Sequence, residues 1–166
     1  MQRGVIYYRY FNFDDLKYDS PCCSHLGVMR NYLPNGLKIQ FPKLRIHKIM
    51  EAELLLSVKK NSPGYNFLKT LEQYNIEHAP QKKNNMKHVN VLNCNSDYSI
   101  IYMKIKPDTL FFSEKNELIS LSDIKSQMNT NSNIMVVCIS NSPGLWSNGN
   151  SYGNTWNIEQ LKVYIE

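Results

Sequence analysis

The chain has 166 residues, of which 42% are hydrophobic and 20% charged, enough for one compact core spanning 1–166 and too little for a second. Eleven Tyr, six Phe and two Trp exclude a disordered tail. Nineteen basic against 14 acidic side chains leave a net charge of +5, which permits a polyanion partner without demanding one. The distribution says more: residues 1–83 hold 13 basic and 7 acidic side chains, whereas residues 84–166 hold 6 and 7. The basic surface belongs to the first half.

The opening residues set Arg3, Arg9, Asp14 and Asp15 around a Tyr/Phe run and lack the apolar core of a signal peptide. No run reaches membrane-spanning length, so no membrane partner is expected. Cysteines stand at 22, 23, 94 and 138, with no CxxC pair and no His at zinc-ligand spacing. That pattern predicts reduced thiols, an intracellular reducing compartment, no metal and no other cofactor.

In chain order, residues 5–11 read as a first strand. In residues 37–41, Leu37, Ile39 and Phe41 alternate with Lys38 and Gln40, and Pro42 then interrupts before Lys43–Ile46, where Leu44 and Ile46 alternate with Lys43 and Arg45. This predicts a half-buried strand bent at a bulge, with its basic residues on one solvent face. Residues 52–58 form the next strand. Ser62-Pro63 signals a helix start, and Phe67, Leu68, Leu71 and Tyr74 give that helix one apolar stripe ending near Asn75. Residues 78–97 read as a long connection. Strands at 98–106 and 109–112, a short helix near Ser122–Met128 and a loop at 129–133 follow. A strand at 134–140, a Gly/Asn-rich turn from 141 to 153 and a closing strand at 155–165 complete the pattern. Five or six uneven strands point to a mainly β, OB-like five-stranded barrel with one intervening helix and an extra N-terminal strand.

The segment 144–164 is the most distinctive. Gly149 and Gly153 permit a tight hairpin that can present Trp146, Tyr152 and Trp156 close together, and aromatic faces near a basic groove would stack unpaired bases. The competing reading is that either Trp fills the core. Alternation pairs Trp156 with Ile158 on a buried face and leaves Trp146 and Tyr152 at the turn as the expected base platforms.

The order Gly-x-Trp, Asn/Gly turn, Tyr-Gly-x-Thr-Trp, then Gln160 and Lys162-Val163 resembles the closing motif of OB-fold single-stranded DNA-binding proteins of large DNA viruses. It resembles phage replication proteins more distantly. LKIQFPKLR at 37–45, AELLLSV at 52–58 and FLKTLEQY at 67–74 are similar to that family's basic strand and strand-then-helix unit, and with residues 101–112 the likeness covers about two thirds of the chain. The resemblance implies largely sequence-independent binding of single-stranded DNA in replication or recombination, at a nuclear or cytoplasmic viral replication site. Replication proteins are the further partners it suggests, and oligomerisation is compatible with it. The residues implied are Lys38, Gln40, Lys43 and Arg45 on the early strand, and Trp146, Tyr152, Trp156 and Lys162 on the closing hairpin. Lys104 and Lys106 extend the groove only if they are more than ordinary solvated charges. The first thirty residues match no part of that pattern. The chain also ends on a strand at Glu166, without the acidic tail through which related phage and bacterial proteins recruit partners.

Catalytic readings are weak. His25 near Cys23 has no orienting group, Asp14/Asp15 and Glu51/Glu53 read as solvated charge, and no GxxxxGK[ST] loop is present, so no enzyme is expected. The alternatives are a non-enzymatic protein-interaction or virion subunit on the same barrel, and RNA binding through the same groove.

Overall fold

The computed structural model describes residues 4–18, 22–23, 29–79, 85–94, 97–131 and 133–165, with backbone alone at 22–23, 29–36 and 94. The strands are β1 (Ile6–Tyr7), β2 (Cys22–Cys23), β3 (Met29–Gln40), β4 (Leu44–Ile49), β5 (Glu53–Lys59), β6 (Lys87–Val89), β7 (Leu92–Cys94), β8 (Tyr98–Phe112), β9 (Leu118–Ile119), β10 (Ile134–Ser147), β11 (Ser151–Asn154) and β12 (Asn157–Ile165). Helix α1 (Pro63–His78) follows β5, and α2 (Leu121–Thr130) follows β9.

Five strands close on themselves in the order β4, β5, β8, β12, β10. The ring is completed by Met135 and Val136 of β10 pairing with Arg45 and Leu44 of β4. The β8–β12 pairing is parallel and the other barrel pairings are antiparallel. This is the mainly β, OB-like barrel that the sequence pattern predicts. β3 pairs with β10 on the far side of Pro42, so β3 and β4 act as one long strand broken where proline offers no N–H to the ladder.

Alternation builds the core. Leu44 and Ile46, Leu54, Leu56 and Val58, Ile101 and Met103, Val136 and Cys138, and Ile158 all point inward. Trp156 is 2% exposed and meets Phe41, the residue before the bend, edge to face at a centroid distance of 5.1 Å. Burial pushes the Cys138 thiol up to about 12, and the thiol is free. The side chains of the other three cysteines, and His25, lie outside the described residues.

α1 begins where the Ser62-Pro63 signal places it, with the Ser62 hydroxyl accepting from the Tyr65 N–H at 3.2 Å. It runs three residues beyond the expected end, because Asn75 is itself helical and buried. The Asn75 Oδ1 accepts from the Tyr18 hydroxyl at 2.6 Å, and its carbonyl accepts from the Ala79 N–H. Phe67, Leu68 and Leu71 deliver the helix's apolar stripe to the core. α2 is closed at its start by a Ser120–Asp123 capping box, and the Ser120 bonds hold the Asp123 carboxyl below its ordinary range. It carries through 129 and 130, part of the expected loop.

Other boundaries also moved. The expected first strand is a strand only at Ile6–Tyr7; Tyr8, Phe11 and Phe13 turn away to pack their rings around Phe67. The connection 78–97 contains β6 and β7, too short to announce themselves by periodicity. The two expected strands around Pro107 are one, since the Thr109 hydroxyl accepts from the Lys106 N–H and donates to the Ile158 carbonyl, patching the ladder. The strand expected at 134–140 runs on to Ser147 through two bulges. This confines the turn to 148–150, where Gly149 takes φ +92°. Among the described residues no helix is long and apolar enough to cross a membrane, and no group of three or more His, Cys, Asp or Glu is placed to hold a metal.

Candidate nucleic-acid interface

Side chains that alternate with the core residues form the outer face of β4, β5 and β8. Strand register sets them in rungs: Lys59 beside Tyr98, Arg45 beside Ser57 beside Ile100, Lys48 beside Leu55 beside Tyr102, and Glu53 beside Lys104. Four residues separate Tyr98 from Tyr102, about 14 Å along a strand.

At the Tyr98 end the face opens into a groove of about 800 Å³. Arg9, Lys43, Arg45, His47 and Lys59 line it, the start of α1 forms one wall, and its described lining holds no carboxylate. The His47 ring lies 5.9 Å from the Tyr98 ring, and Lys43 sits 4.7 Å over the ring of Tyr164. The Arg9 Nε donates to the Tyr8 hydroxyl at 3.1 Å, a contact that raises the guanidinium pKa further. Four Lys and Arg side chains around one concave surface make an electrostatic trap for a polyanion.

At the Tyr102 end lies a second groove, of about 390 Å³, bounded by Lys104, Glu53 and the β10–β11 hairpin. Trp146 stands there, half-buried, cross-strand from Gly153. A Cβ on Gly153 would sit 3.0 Å from the indole and 3.1 Å from the Val89 carbonyl, so glycine is what lets the indole lie against the hairpin backbone.

The structure separates the residues that the sequence grouped. Lys43 and Arg45 are exposed and share the first groove. Lys38 does not join them: it forms a 2.9 Å ion pair with Glu159, which also accepts from the Asn141 amide at 2.6 Å. Gln40 and Lys162 line a third hollow on the outer face of β10 and β12, where the Lys162 ammonium donates to Asn116 at 2.7 Å. Trp146 is half-buried where the turn was expected to expose it, and Trp156 is core, as its pairing with Ile158 predicts. At 2% exposure Trp156 has no face to offer a base.

Tyr152 corrects the expectation. It is 2% exposed, packs with Leu145 and Ala79 and meets His88 edge-on. Its strand neighbour Gly153 faces Trp146, so alternation turns Tyr152 to the opposite, buried side. Sequence reasoning missed His47, Lys59, Tyr98 and Tyr102. The signal was present in YSIIYMK, where Tyr98, Tyr102 and Lys104 fall on one face of an alternating strand.

No family model matches this chain, and no curated protein matches it. Among solved structures it is similar to the single-stranded DNA-binding protein from bacteriophage Enc34, with a TM-score of 0.49 and 9% identity over 91% of each chain. A likeness of that degree leaves function to be argued from this chain's own side chains.

Proposed function

We propose that the protein binds single-stranded DNA, largely without regard to sequence, along the outer face of β4, β5 and β8. The observation that carries this is the adjoining of a basic groove, whose described lining holds no carboxylate, to a column of aromatic side chains, Tyr98 and Tyr102, that ends at Trp146. Arg9, Lys43, Arg45 and Lys59 neutralise phosphates, and release of the condensed counterions supplies affinity at moderate salt. Tyrosine and indole faces then hold successive bases, each stack contributing about 1–3 kcal/mol whatever the base. Bases in a duplex present no free face, so the mode selects single strands. As the sequence resemblance implies, the proposal extends to a role in viral DNA replication or recombination, by binding alone and without catalysis.

The test is a fluorescence-anisotropy titration of labelled oligo-dT, oligo-rU and duplex DNA. Oligo-dT should bind more tightly than duplex, with affinity falling as salt rises. Equal affinity for the two removes stacking from the account. Equal affinity for oligo-dT and oligo-rU extends the ligand to RNA, because sugar discrimination needs contacts to the 2′-hydroxyl.

A further inference from the structure

Glu53 is out of place on a surface that attracts phosphates. It is the one carboxylate among the described residues lining either groove, it is half-buried, and it stands in register opposite Lys104. Among the described residues neither the Glu53 carboxylate nor the Lys104 ammonium has a hydrogen-bond or ion-pair partner. The two charges therefore face the same groove as Tyr102 and Trp146 with their bonding capacity unspent.

A carboxylate offers two adjacent acceptors, and the ammonium beside it offers a donor. On its pairing edge guanine presents N1–H and N2–H as adjacent donors, followed by the O6 acceptor, which is the complement of that arrangement. Cytosine and adenine offer a carboxylate only one exocyclic amino group. Thymine offers one ring N–H flanked by two carbonyl oxygens that a carboxylate repels. A third group agrees with this polarity. The Asn154 Oδ1 accepts from the Thr155 backbone N–H at 2.7 Å and from the Ser142 hydroxyl. Since a backbone N–H only donates, the amide orientation is fixed, and what Asn154 has left for the groove it lines is its Nδ2 donor.

We propose that this groove is a guanine-preferring base subsite within an otherwise sequence-tolerant interface, with Glu53 as its specificity-determining residue. The inference rests on the single-strand binding reading. It is tested by anisotropy with short oligo-dT carrying one dG stepped along its length, with dC, dA and deoxyinosine at the same positions as controls. One position of dG should raise affinity about tenfold over dT, as a two-bond base contact does. Deoxyinosine, which lacks the N2 amino group, should lose most of that gain. Glu53→Gln should abolish the preference, bringing the affinity for the dG-bearing oligonucleotide level with that of the same variant for plain oligo-dT. If wild type binds oligo-dT but no position prefers dG, or if the preference survives in Glu53→Gln, the subsite is wrong and the binding reading stands. If no oligonucleotide binds at all, the binding reading itself fails and the subsite with it.

Discussion

The two halves of the bent strand began as equals. Lys38 and Gln40 precede Pro42, Lys43 and Arg45 follow it, and both halves alternate basic or polar residues with buried apolar ones. Their surroundings differ. The first half lies against β10, within reach of Glu159 on β12, and its lysine is neutralised there. The second half crosses to β5 and meets Ser57 and Lys59 in a groove whose described lining is free of carboxylates. Alternation decides which side chains leave the core; the neighbouring strand decides what charge they meet.

The bend can be broken from inside. Trp156 packs on Phe41 at the junction, so Trp156→Ala should cost about 3–5 kcal/mol of folding free energy, seen as a lowered denaturant midpoint. Loss of binding with full stability would place the indole on the wrong side of the barrel wall. Tyr152→Ala should likewise act on stability and leave oligo-dT affinity intact.

The aromatic end of the second half is tested next. Trp146→Ala and Tyr102→Ala should each weaken oligo-dT binding by about 1–3 kcal/mol, with little change in melting temperature. If neither changes affinity, stacking lies elsewhere.

The bend is also braced from the helix side, where a Cβ on Gly64 would collide with the Pro42 ring. Gly64→Ala should therefore destabilise by about 1–3 kcal/mol as an overpacking substitution. A neutral thermal melt would show that α1 shifts freely relative to the strand. The smallest effect belongs to the first half: Lys38→Ala breaks a partly exposed ion pair and should change stability by no more than about 1 kcal/mol. Its binding to oligo-dT should match wild type.

Much of the fold could be read from residues alone, for local reasons. The Leu/Ile alternation around Pro42 located the bent strand, and Ser62-Pro63 located α1, because each signal is carried by adjacent residues. The short strands β6, β7 and β9 were invisible, since pairing with β8 or β11 rather than any pattern of their own makes them strands. The candidate site was legible in part. Lys43, Arg45 and Trp146 fall where alternation and the hairpin turn put them. Lys38 was misjudged because its partner lies 121 residues away in sequence. Tyr152 was misjudged because the strand runs further into the hairpin than its Asn and Gly content suggests.

The measurement that bears most directly on the proposed interface is the salt dependence of oligo-dT affinity in three proteins: wild type, Lys38→Ala and the Arg45→Ala/Lys59→Ala pair. Each phosphate neutralised on a single strand contributes about −0.7 to the log–log slope. The paired substitution should flatten the slope by about 1.4, the sum of two such contributions, while Lys38→Ala leaves it at the wild-type value. A slope flattened by Lys38→Ala and untouched by the paired substitution would contradict the account and move the DNA to the opposite half of the strand.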